Sequence, residues 1–122
     1  MLYTKDHEWI KIEKNIGIVG ISDYAAEHLG DVTFVELPTI GKIVKKGDVF
    51  ASVESVKAVS DIYAPVSGKI IEVNIALENQ PELINESSEN AAWMIKLEIS
   101  SPDEANSLMD SLNYKTYLEG AQ

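Results

Sequence analysis

Between residues 41 and 75 the chain alternates short apolar runs with turn residues, and this rhythm restricts its fold more than any other feature. Lys42-Ile43-Val44 is followed by Lys46-Gly47-Asp48, then by VFASV at 49–53. DIYA at 61–64 leads to Pro65-Val66-Ser67-Gly68 and then to KIIEVNI. Runs this short are strands, not helices, and their regular spacing predicts a sandwich or small barrel. Gly41-Lys42-Ile43-Val44 also echoes Gly68-Lys69-Ile70-Ile71, with Lys57 near the midpoint. Two related sheets with a hairpin between them, and the lysine at one end, would produce that pattern.

The flanks extend the β character. Residues 8–21 read as two strands, with Asn15 and Gly17 marking the bend. From Ser22 to Gly30 the punctuation is helical: Ser22 caps, Asp23 favours the N-terminal dipole, and Gly30 closes in αL. DVTFVEL (31–37) ends at Pro38, a polar loop spans Glu86 to Asn90, and WMIKLEI (93–99) forms a further strand. Ser101-Pro102-Asp103-Glu104 reads as a capping box opening a helix whose face is Leu108, Met109 and Leu112, with a final helical turn from Asn113 to Gly120. The expectation is a mostly β protein with one short internal helix and a helical tail. Trp9, Phe34, Phe50 and Trp93 are assigned to its core.

Several chemistries are excluded. The 122 residues contain no cysteine, so disulfides, thiolate nucleophiles and cysteine metal sites are absent. Twenty acidic residues oppose ten basic ones, a formal charge of −10, and every basic residue is lysine. Without arginine and with this charge, binding to nucleic acid or anionic lipid is disfavoured. An acidic surface suits brief docking to basic protein surfaces. No apolar run approaches the roughly 20 residues that span a bilayer. MLYTKDHEW has neither signal-peptide nor transit-peptide character, so a cytoplasmic location is expected. His7 and His28 lack local ligand spacing, and Glu8, Glu36, Glu54 and Asp61 are unremarkable as carboxylates in so acidic a chain. There is no phosphate loop. No catalytic residue and no metal ligand is assigned.

Lys57 remains. It sits in Glu54-Ser55-Val56-Lys57-Ala58-Val59-Ser60, at a tight turn with small or apolar flanks. Lowering a lysine's pKa requires burial or a cationic neighbour, and a hairpin tip supplies neither. A protruding amine on a rigid turn instead suits a lysine that another enzyme modifies. An ordinary solvated lysine fits that stretch as well.

ESVKAVSDIYAPVSGKIIEVN resembles the lipoylation segment of the H-protein family of the glycine cleavage system. YTKDHEW, GISDYAAEHLGDVTFVELP, PELIN and WMIKLEIS resemble that family in the same order, over almost the whole chain. Biotin carriers place Met on both sides of the lysine. Lipoyl domains of 2-oxoacid dehydrogenases place Asp before it, where this chain has Val56. One departure is the loop Ser88-Glu89-Asn90-Ala91-Ala92, where the family often has Tyr and a Gly before the Trp.

The resemblance implies a single lipoyl-carrier domain over 1–122, a barrel-sandwich hybrid with its core barrel near 8–99 and a helical segment near 102–119. It implies lipoic acid amide-linked to Lys57, within a ligase-recognition frame of Glu54, Ser55, Val56, Ala58 and Gly47. Glu8, Asp61 and His28 become candidates for a cleft that shelters the loaded arm. The implied partners are a pyridoxal-phosphate glycine decarboxylase, a tetrahydrofolate-dependent aminomethyltransferase, the flavin enzyme dihydrolipoamide dehydrogenase, and a lipoate ligase or lipoyl transferase. The chain would then be a non-catalytic, monomeric shuttle for an aminomethyl group. Two alternatives are an H-like relay that donates lipoyl groups to other enzymes, and an unmodified binding barrel.

Overall fold

A computed structural model describes residues 1–120. The expected domain runs to residue 122, so its last two residues lie outside the described ones. In chain order the strands are β1 (Leu2–Tyr3), β2 (Glu8–Glu13), β3 (Ile16–Ile21), β4 (Val32–Glu36), β5 (Ile43–Val44), β6 (Val49–Ser55), β7 (Val59–Tyr63), β8 (Gly68–Val73) and β9 (Ile95–Ile99). The helices are α1 (Asp23–Leu29), α2 (Ala76–Asn79), α3 (Leu83–Ser87) and α4 (Ser111–Gly120), with a 3-10 helix at Pro102–Ser107 before α4.

The mostly β architecture expected from the alternating runs is present. Two antiparallel sheets form, one of six strands in the order β1-β2-β3-β9-β8-β5 and one of three in the order β4-β6-β7. They are open sheets, not a closed barrel. Alternate residues of both face a shared core that includes Ile10, Val19, Val35, Val53, Ile62 and Leu97. The two echoing segments pair with each other. Ile43 lies opposite Lys69 and Val44 opposite Gly68, with the β6–β7 hairpin enclosed between them.

Local punctuation differs from expectation in four places. The β2–β3 bend is at Lys14, which has φ +57, and at Asn15, while Gly17 lies inside β3 opposite Ile12. A Cβ there would approach Ile10 Cδ1 to 2.7 Å, so a larger residue would require the Ile10 side chain to shift. Gly30 ends α1 with φ +72 but ψ −156, which is outside αL. The segment from 76 to 87 contains α2 and α3, beyond the single internal helix expected. Ser101 makes no side-chain cap, because Glu104 turns away to accept from Ser67 N–H at 2.7 Å and from its hydroxyl at 3.0 Å. The tail is therefore a 3-10 turn followed by α4. Leu112 is 72% exposed there, and Tyr114 carries the packing against Tyr3 and Trp9.

Candidate functional site

The β6–β7 hairpin carries Lys57 at its tip. Ser55 organises the turn: its N–H donates to Ala58 O at 2.8 Å. Its Oγ accepts from Lys57 N–H at 3.4 Å and from Ala58 N–H at 3.2 Å. Val56 N–H donates to Asp31 O at 3.0 Å, fastening the tip to the connection between α1 and β4. That connection is itself held by Asn85, whose amide donates to Gly30 O at 2.7 Å and accepts from Val32 N–H at 2.9 Å. The lysine therefore stands on a turn braced from three elements.

The Lys57 side chain is exposed and forms no ion pair among the described residues. It leans toward the end of α1. Its Cε lies 3.4 Å, and its Nζ 3.9 Å, from where a Cβ on Gly30 would be. Glycine is favoured there by the positive φ, while a Cβ would meet the lysine only at ordinary van der Waals contact. Beyond Gly30, a groove of about 300 Å³ opens between α1 and β7, lined by Tyr24, Ala25, His28 and Leu29 on one side and Ser60 and Ile62 on the other. Asp6, His7 and Asp61 also border it. The His28 ring stacks on Tyr24 with centroids 4.0 Å apart, and Tyr24 in turn faces His7 at 4.6 Å.

Asp61 reaches this groove through its backbone. It pairs with Ser52, which pairs with Glu36, so the three side chains share the outer face of the small sheet. Tyr63 N–H points off the free edge of β7 to Glu8. The alternation of antiparallel bonds then turns the Asp61 N–H and C=O to the same edge. The side chain instead borders a wider groove of about 440 Å³ on the outer face.

Glu8 lies next door. It is 2% exposed and lines a separate groove of about 330 Å³, which shares Asp6 with the first. Its Oε1 accepts from the Thr4 hydroxyl at 2.6 Å, and its Oε2 accepts from Tyr63 N–H at 3.3 Å. Burial outweighs these bonds and pushes its pKa from 4.5 up to about 7.

The proposed ligase frame divides. Glu54, Ser55, Val56 and Ala58 surround Lys57, but Gly47 lies at the far end of β6, roughly 20 Å of strand away. It shapes the opposite turn, with φ +90 and its N–H on Ala64 O at 2.8 Å. Phe34, assigned to the core from sequence, is 48% exposed and shares the outer face with Glu54 and Val59. With Val56 and Val59, 70% and 66% exposed, it makes an apolar flank beside the lysine. Alternation alone did not decide this, because it would group Phe34 with the buried Val32, and a register shift between the two turns Phe34 outward. Trp9 and Phe50 are buried as expected, and Trp93 is partly buried beneath the Lys96 ammonium at 5.0 Å.

The residues fit a lysine-borne arm: a free amine, an apolar channel at its foot, and carboxyl and carbonyl oxygens beyond. Among the described residues no group of His, Asp and Glu is arranged to hold a metal. No helix is long and apolar enough to cross a membrane.

Comparison with known proteins agrees with this geometry. Residues 1–121 match the family model described as glycine cleavage H-protein. A glycine cleavage system H protein from Xanthobacter autotrophicus is 53% identical over 117 residues, covering 96% of this chain and 94% of the relative. One from Thermotoga maritima is 52% identical over 115 residues, covering 94% and 93%. The crystal structure of a glycine cleavage system H protein from Mycobacterium marinum superposes with a TM-score of 0.87 at 37% identity, covering 94% of this chain and 93% of that one. The chain belongs to the glycine cleavage H-protein family.

Proposed function

We propose that Lys57 carries lipoic acid in amide linkage and that residues 1–122 act as one carrier domain, passing an aminomethyl group between enzymes of the glycine cleavage system. The observation that supports this most directly is the exposed Lys57 amine, in no ion pair among the described residues and leaning over Gly30 toward a groove. When attached, the dithiolane supplies thiol–disulfide and group-carrying chemistry that a chain without cysteine lacks.

The protein's own residues bind, orient and shield. Ser55, Val56 and Ala58 hold the turn rigid, so an attaching enzyme meets the amine with little ordering to pay in entropy. Phe34, Val56 and Val59 offer that enzyme apolar contact. Ile62, Ala25 and Leu29 offer the hydrocarbon of the arm an apolar path out of water. At its far end, Asp6 and the Asp61 carbonyl offer acceptors for an ammonium, and the buried Glu8 lies in the adjoining groove that shares Asp6. The partners in this reading are the pyridoxal-phosphate decarboxylase, the tetrahydrofolate-dependent aminomethyltransferase and the flavin dehydrogenase, together with a lipoate ligase or lipoyl transferase.

Lys57→Arg tests the assignment. The variant keeps charge and exposure, so it should fold with an unchanged melting temperature. Intact mass should show lipoate on the wild type and none on the variant, and glycine cleavage should fall to background. Lipoate found on another lysine, or activity retained by the variant, refutes the assignment.

A further inference from the structure

The C-terminal helix contributes no residue to the groove between α1 and β7, yet one of its side chains is hydrogen-bonded to His7, which borders the groove, and to Ser22, the residue that caps α1. Tyr114 is 5% exposed, with its hydroxyl 2.7 Å from His7 Nδ1 and 2.8 Å from Ser22 Oγ. His7 lines the groove. Ser22 is the N-cap of α1, accepting from Ala25 N–H at 3.2 Å, and α1 supplies Tyr24, Ala25, His28 and Leu29 to the groove. Ser22 N–H also donates to His7 O at 2.8 Å. One hydroxyl therefore joins the β1–β2 connection, the start of α1 and α4.

Two features show that this junction constrains the groove. His7 has φ +71, a region that a non-glycine residue holds only where its surroundings enforce it. The donors and acceptors can also be arranged in one continuous direction. If Tyr114 O–H donates to His7 Nδ1, the tyrosine oxygen accepts from Ser22 O–H, and the serine oxygen accepts from Ala25 N–H. Every member of that chain is satisfied in this arrangement, which places the His7 proton on Nε2. Burial lowers the pKa of His7, which keeps the ring in that neutral form.

We propose that Tyr114 is a positioning residue for the arm groove, so that α4 acts as a latch holding His7 and the N-terminus of α1 at the spacing the arm requires. This rests on the groove being the resting place of the Lys57-borne arm. Lys57 itself lies at the other end of α1, so attachment of lipoate does not depend on the latch.

Tyr114→Phe removes the hydroxyl and keeps the ring in its packing. In the protein without lipoate, hydrogen exchange at the Ser22 and Ala25 amides should rise about tenfold, with Val53 and Leu97 unchanged. The His7 ring nitrogens should show a mixture of tautomers by NMR. In the lipoylated protein, the extent of modification by mass should be unchanged. Magnetisation-transfer contacts between the arm and the methyls of Leu29 and Ile62 should fall severalfold. Ile70→Val, a core change in the large sheet, serves as the control for general destabilisation. If exchange at Ser22 and Ala25 rises no more in Tyr114→Phe than in that control, the proposal is overturned. Arm contacts that persist in Tyr114→Phe overturn it while leaving the groove reading intact. Arm contacts absent from the wild type as well overturn both.

Discussion

Glu8 is a buried acid in the wall of a groove, and its pKa, pushed up to about 7, has a consequence for stability. Burial is the dominant cause, partly offset by the Thr4 hydroxyl and the Tyr63 N–H. At pH below about 4.5 the carboxyl is protonated in both folded and unfolded chains, and it carries no penalty. As pH rises from 4.5 to 7, the unfolded chain releases its proton first, so the folded state loses stability across that window. Above 7 the penalty is constant, at roughly 3 kcal/mol for a shift of this size. Chemical denaturation of wild type and Glu8→Gln at a series of pH values checks this. The stability difference between them should move in favour of the variant between pH 4.5 and 7 and then level off. A cation brought beside Glu8 should shrink the wild-type loss and lower the pH at which Glu8 titrates. Glu8 was legible as a candidate only through the HEW resemblance. Its burial was not legible from alternation, because Trp9 on the other face of β2 is as buried while Ile12 on the same face is 37% exposed.

At the scale of elements, the sheets depend on close backbone approaches that only glycine allows. A Cβ on Gly68 would stand 2.4 Å from the Glu98 carbonyl oxygen, and backbone cannot swing aside as a side chain can. Gly68→Ala should therefore force β8 and β9 apart and cost more than about 2 kcal/mol, the range for overpacked sites. At Gly41, a Cβ meets nothing within 4 Å, so Gly41→Ala should cost only the positive-φ penalty, about 1 kcal/mol. Paired melting curves would rank the two. The strands from β2 onward and α1 were legible because each carries a period or its own punctuation, whereas β1 is two residues long and exists only by pairing with β2 and Met109. The helices α2 and α3 were not, since each spans about one turn and persists only by burying Leu77 or Ile84. The Ser101 capping signal failed because Glu104 found Ser67, 37 positions away, a better partner than its own helix start. The site followed the same division. The Lys57 turn was visible in its local residues. The groove was not, because it exists only where Asn85 pins the end of α1 beside the hairpin.

Over the whole molecule, the charge of −10 is unevenly spread. On the outer face of the large sheet, acids and lysines are matched. Lys96 meets Glu72 at 3.3 Å, Lys11 meets Glu13 at 3.7 Å, and Lys69 pairs in register with Glu98. On the outer face of the small sheet, Glu36, Glu54 and Asp61 share one side with Phe34 and Val59, and none is in an ion pair among the described residues. Clustered like charge beside the lysine raises the local field, and such a field chiefly changes the rate of encounter with a basic partner. Glu36→Lys should slow association of the lipoylated protein with a glycine cleavage enzyme by about tenfold at low salt. That difference should shrink as ionic strength passes roughly 0.15 M, where charges more than about 8 Å apart are screened. Glu98→Lys makes the same change in net charge on the matched face and should alter the rate far less. Stopped-flow association rates at several salt concentrations separate the two cases. Equal slowing by both variants would mean that total charge, and not its placement beside Lys57, governs the encounter.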